Sequence, residues 1–126
     1  MREINALLVA PEQPPREVWV GNSRADILSH IGGDIVMKYD VPGDPVCLLY
    51  NPTPHGDGRR LNRAVLDKDG NTLFIISGPF LIVGRLFEDG LCGLCPEQVA
   101  EYRRHFHTPH VFVRENNKIV LWRSNG

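Results

Sequence analysis

Apolar residues fall in short runs separated by turn formers, a spacing that predicts many strands and few helices. Ile4–Val9 is apolar with a β-branched residue at each end and stops at Ala-Pro-Glu-Gln-Pro-Pro. Glu17–Val20 resumes with strand formers, so the two segments read as an opening hairpin. Ser23 can cap a helix whose apolar residues Ile27, Leu28 and Ile31 share one stripe, and Gly32-Gly33 supplies a left-handed stop. Ile35–Val41 and Val46–Tyr50 follow as strands around Pro42-Gly43-Asp44. Asn51 to Gly58 is dense in turn formers and reads as an exposed loop.

Beyond that loop, Arg59 to Val65 leads to the turn Asp67-Lys68-Asp69-Gly70-Asn71 and the apolar run Leu73–Ile76. Gly78-Pro79 breaks the run before Phe80–Val83. Both runs are apolar at consecutive positions, which predicts a central strand pair buried on both faces. A second helix is signalled by Cys95 as cap, Pro96 at its first position, Glu97 and Gln98 in its first turn, and Val99, Tyr102 and Phe106 at helical spacing. It should end near Thr108-Pro109. Val111–Val113 and Ile119–Trp122 flank Glu115-Asn116-Asn117-Lys118, a hairpin signature. The expectation is an α+β fold, mostly antiparallel sheet with two short helices and a C-terminal β-hairpin.

The 126 residues suit a single domain spanning 1–126, and 42% hydrophobic with 23% charged residues is ordinary globular composition. No apolar run is long enough to span a bilayer, and the opening stretch is shorter and less basic in its lead-in than a signal peptide. Three cysteines are too few for a disulfide framework, so a reducing, cytoplasmic location in a host cell is expected. A formal charge of −1 argues against duplex nucleic acid as partner.

The stretch Leu61-Asn62-Arg63-Ala64-Val65-Leu66-Asp67-Lys68-Asp69-Gly70, followed by Ile75-Ile76-Ser77-Gly78-Pro79-Phe80-Leu81-Ile82-Val83-Gly84, resembles an uncharacterised domain-of-unknown-function family. That family occurs in phages, prophages and integrative elements. Its members share an opening strand ending in Pro, a short helix closed by paired glycines, and a late helix entered by Glu-Gln, here Glu97-Gln98. The resemblance covers about residues 1 to 106 and leaves 107–126 as an added hairpin. Cysteines stand here where Ser or Thr is usual before the late helix. The resemblance implies no established chemistry.

Candidate chemistry is sparse. Cys92 and Cys95 have metal-knuckle spacing and are followed by His107 and His110, but these histidines straddle Pro109. The competing reading makes Cys95 a helix cap and Cys92 a small buried residue, and no cofactor is expected. As a redox dithiol the pair is poorly placed, because Cys92 precedes the helix by several residues. Ser77 lacks a nucleophile elbow, and Gly56 to Arg60 lacks the ending of a phosphate loop. His55 with Asp57 could serve as base and partner, although two loop positions fix no geometry.

What remains is Arg59, Arg60, Asn62 and Arg63, with His55 and Phe80 nearby in the chain. Guanidinium forks match phosphate or carboxylate oxygens, and Asn offers both a donor and an acceptor. These six residues are the expected ligand-binding set, against the alternative of a solvated basic turn paired with Asp57, Asp67 and Asp69. The expected function is that of a non-catalytic phage or mobile-element accessory protein. In that role it would act in counter-defence as a homo-oligomer that sequesters an anionic ligand such as a cyclic nucleotide. Two alternatives stand beside it. One is a protein–protein inhibitor of a host defence or restriction enzyme, working through strand edges or the C-terminal hairpin; the other is a small enzyme or zinc-binding protein.

Overall fold

The continuously apolar segments Ala6–Val9, Val46–Tyr50 and Phe80–Val83 are best satisfied in the middle of a layered structure, where both faces of the sheet are covered. A computed structural model, which describes residues 3–53, 60–86 and 90–123, shows this arrangement. Strands β1 (Glu3–Val9), β2 (Arg16–Gly21), β3 (Met37–Asp40), β4 (Val46–Tyr50), β7 (Phe80–Arg85) and β8 (Leu91–Cys92) form one antiparallel sheet. Its order is β2-β1-β7-β4-β3, with β8 paired to the far end of β7. Two hairpins stand apart from it, β5 (Leu61–Leu66) with β6 (Thr72–Ser77), and β9 (Phe112–Glu115) with β10 (Lys118–Leu121). Helices α1 (Arg24–Ile31) and α2 (Pro96–Phe106) complete the fold. Neither is long and apolar enough to cross a membrane.

Side-chain alternation divides the core in two. Leu7, Val9, Val46, Leu48, Phe80 and Ile82 point to one face, where they meet Val65 and Ile76 of the β5–β6 hairpin and Leu94, Tyr102 and Phe106 of the α2 segment. Ile4, Ala6, Leu8, Cys47, Leu49, Leu81 and Val83 point the other way, onto Ile27 and Ile31 of α1. Each buried Val, Leu, Ile or Phe among them contributes about 1.5–3 kcal/mol by leaving water. The antiparallel sheet, two helices and C-terminal hairpin agree with the expected α+β class.

The expected central pair is different. Phe80–Val83 is central, but its neighbours are β1 and β4, with Leu8 opposite Leu81 and Leu48 opposite Ile82. Leu73–Ile76 pairs instead with β5 in a separate layer, and Leu73 is exposed. Gly78-Pro79 therefore moves the chain between layers rather than turning it within one sheet; Gly78 takes a φ of 76° there.

Local signals behave as their chemistry requires. The Ser23 side chain accepts from the Asp26 N–H at 3.2 Å, and Gly32, at φ 80°, returns its N–H to Leu28. At α2, Pro96 opens the helix and the Gln98 side chain accepts from the Cys95 N–H at 2.8 Å. The helix ends at Phe106, slightly before the expected Thr108-Pro109. Asn116 and Asn117, at φ 52° and 63°, form the turn of the last hairpin. Strand β8 fills a wedge where β1 diverges from β7, and the Leu94 N–H donates to the Asn5 carbonyl at 3.1 Å.

Candidate functional site

Asn62 and Arg63 lie on β5, where the register with β6 slips between Leu61 and Arg63. The irregularity lets two consecutive polar side chains turn inward. Asn62 is 1% exposed and donates from Nδ2 to the carbonyls of Val9 and Gly78, both at 2.8 Å. Its Oδ1 accepts from Arg63 Nη1 at 2.8 Å. Arg63 is fully buried; Nε and Nη2 donate to the Phe106 carbonyl at 3.3 and 2.9 Å, and Nη2 reaches the Gln13 carbonyl at 2.6 Å.

This guanidinium thus sits on the last carbonyl of α2, where the helix dipole favours positive charge. It joins α2, β5 and the β1–β2 loop. The expectation that Asn62 and Arg63 face a ligand is corrected accordingly, because their polar groups are committed inside the protein.

The remaining expected residues do not gather either. Phe80 is fully buried and packs edge-on to Phe106 at a centroid separation of 5.4 Å, so it is a core residue rather than a ligand contact. Arg60 is exposed and pairs with Glu12 at 2.9 Å, a surface contact worth little. His55, Asp57 and Arg59 lie outside the described residues.

Nor do the candidate metal ligands converge. Cys92 is half-buried on β8, Cys95 is exposed at the start of α2, and His107 is exposed just after its end. His110 is turned towards β5, where its Nδ1 accepts from the Ala64 N–H at 2.9 Å. Burial, reinforced by the charge of Arg63, lowers its pKa and keeps the ring neutral. No group of three or more His, Cys, Asp or Glu is assembled to hold a metal among the described residues. The third cysteine, Cys47, is buried, and desolvation pushes its thiol up to about 11, so it is unreactive.

A cavity of about 200 Å³ lies between the C-terminal half of α2, the β3–β4 turn and β5. Its walls are Tyr39, Val41, Leu48, Val65 and Phe106, and its polar groups are Asp44, Glu101, Tyr102 and His105. Tyr102 belongs to the buried stripe of α2, and its hydroxyl donates to Asp44 Oδ2 at 2.6 Å. Burial and this carboxylate push the Tyr102 pKa up, so the phenol remains a donor. The turn beneath is fixed by Arg85, whose Nη2 donates to the Asp44 carbonyl at 3.1 Å while its Nε lies 3.7 Å from Asp40. With Arg85 turned to Asp40, the formal charges lining the cavity are the carboxylates of Asp44 and Glu101.

A larger cleft of about 420 Å³ runs beside the stacked rings of Tyr50 and Phe74. Its buried polar residue, Asn51, is already engaged with the Gly32 carbonyl and with Thr53. The cavity under α2 is therefore the better candidate. Sequence reasoning missed it because Asp44 and Tyr102 stand 58 positions apart. The available signal was a tyrosine in an apolar helical stripe, since a buried phenol needs a partner.

Comparison with known proteins gives one match: a family model described as Domain of unknown function (DUF3846) aligns with residues 1–107. No curated protein and no solved structure matches the chain. The aligned segment runs to the end of α2 and includes the Asn-Arg-Ala and Gly-Pro-Phe motifs, while β9 and β10 lie beyond it. Matched over most of its length, the chain belongs to the DUF3846 family.

Proposed function

We propose that the chain is a non-catalytic binding protein that takes a cationic group of its partner into the cavity under α2. The observation that carries this reading is the lining itself: apolar and aromatic side chains, Tyr39 and Tyr102 among them, share the cavity with the carboxylates of Asp44 and Glu101. About 200 Å³ suits a group the size of one long side chain, such as the guanidinium end of an arginine. The partner is then a protein presenting a basic anchor residue, as in the inhibitor reading of the sequence. In a phage or integrative element, the setting expected from the sequence, this would be a stoichiometric role against a host protein. An anionic nucleotide would meet two carboxylates here, and the buried Asn62 and Arg63 offer it no contact.

The test is a thermal-shift series with agmatine and arginine methyl ester, run beside linear and cyclic nucleotides, on the native chain and on Glu101→Gln. Binding to the native state must raise the melting temperature. The guanidinium compounds should stabilise the native chain, with the effect reduced in Glu101→Gln. Stabilisation by nucleotides alone, or by no member of the panel, would overturn the proposal.

A further inference from the structure

From the backbone of β2 we infer that the protein pairs with a second copy of itself through this edge strand, extending the sheet across a two-fold axis at Val18. This goes beyond the cavity and does not depend on it.

The direction of the β2 backbone groups follows from two hydrogen bonds. The Gly21 N–H donates to the Asp26 carboxylate rather than to β1. On β1, the Asn5 carbonyl accepts from Leu94, on the side away from β2, and Asn5 is the register partner of Trp19. In an antiparallel ladder, inward and outward residues alternate. Glu17, Trp19 and Gly21 therefore direct their N–H and C=O groups outward, while Arg16, Val18 and Val20 bond to β1. Gly21 is closed off by α1, since its carbonyl accepts from the Ser23 N–H at 2.8 Å. The four outward groups of Glu17 and Trp19 remain, and β2 ends the sheet among the described residues.

A two-fold axis at Val18 sets Glu17 opposite Trp19 of the second copy, and Trp19 opposite its Glu17. All four outward groups of each strand then find partners, giving four hydrogen bonds across the axis. The side chains agree with this register. Trp19, 66% exposed, would lie beside the Glu17 carboxylate of the other copy, which in its own chain pairs with Arg103 at 3.5 Å. That arrangement brings the Arg103 guanidinium within reach of the indole face, a favourable cation–π contact.

Solitary edge strands usually carry a lysine, a proline or a bulge that prevents such pairing. Arg16–Gly21 contains no lysine, proline or bulge; Pro14-Pro15 stop short of it, its charged residues are Arg16 and Glu17, and its register with β1 is continuous from Glu3 opposite Gly21 to Leu8 opposite Arg16. The opposite edge, β3, is four residues long and carries the Lys38–Asp40 ion pair.

Sedimentation equilibrium from micromolar to millimolar protein tests the inference, with circular dichroism verifying the fold of each variant. The native chain should self-associate as a dimer. Trp19→Glu places like charges opposite each other and should weaken the dimer by about tenfold or more. The double variant Glu17→Lys with Trp19→Glu restores opposite charges in this register and should recover most of the lost affinity. A native chain that stays monomeric throughout, a dimer indifferent to Trp19→Glu, or a folded double variant that dimerises no better than the single one would overturn the inference.

Discussion

Replacing Arg63 by alanine should cost a large part of the protein's stability. The substitution removes the donor from two buried acceptors, the Phe106 carbonyl and the Oδ1 of Asn62, and from the part-buried carbonyl of Gln13. Each acceptor left without a partner costs about 1–3 kcal/mol. At about 1.5–2 kcal/mol for each of the two buried acceptors the loss comes to roughly 3–4 kcal/mol, and the carbonyl of the exposed Gln13 adds little. Relieving the desolvation of a buried cation offsets part of this, and losing the packed side-chain stem adds to it. A net loss of about 3–5 kcal/mol is expected, against a total of about 5–15 kcal/mol for a domain. Arg63→Lys should recover less than half, because one ammonium cannot reproduce the planar fork that serves helix and loop together. Urea unfolding followed by far-ultraviolet circular dichroism measures both variants. A loss below about 1 kcal/mol in Arg63→Ala would refute the structural role, and intact stability with impaired ligand binding would return Arg63 to the surface chemistry expected from the sequence.

Two further outcomes follow from the same geometry. His110 has a lowered pKa in the folded state, so its neutral form is favoured there. Its contribution to stability is complete above the ordinary imidazole value of 6.5 and is lost as pH falls from there towards the folded pKa. Melting temperatures between pH 8 and pH 5 should show this loss in the native chain and a smaller one in His110→Gln, whose amide oxygen still accepts from Ala64. Gly93→Ala would place a methyl group 2.2 Å from Asn5 Oδ1, where β8 closes against β1. It should destabilise by about 1–3 kcal/mol in a denaturant titration.

Features that depend on neighbours in the chain were legible in the sequence. Ser23 and Gly32-Gly33 bound α1 because a cap and a left-handed stop are local devices, and the Asn116-Asn117 turn is equally local. Membership of a sheet is not local. Gly78-Pro79 looks like a hairpin turn whether the next strand folds back or crosses to another layer, so β6 and β7 were expected as partners although they are not. Asn62 and Arg63 read as surface chemistry because polar residues are mostly exposed, and a register slip that turns two of them inward leaves no mark in composition. Their acceptors belong to residues as distant as Val9 and Phe106, which no spacing rule connects.

The position of β7 has a consequence for how the chain acquires its structure. Its partners are β1 from the start of the sequence and β4 from the middle, so the centre of the sheet closes later in synthesis than either of the hairpins it joins. Until Phe80–Arg85 has emerged, the β1–β2 and β3–β4 hairpins have no common strand to join them. Loop closure over such separations slows folding. During that interval the apolar inner edges of β1 and β4 stand open together, which makes the newly made chain more vulnerable to aggregation and proteolysis than the finished one.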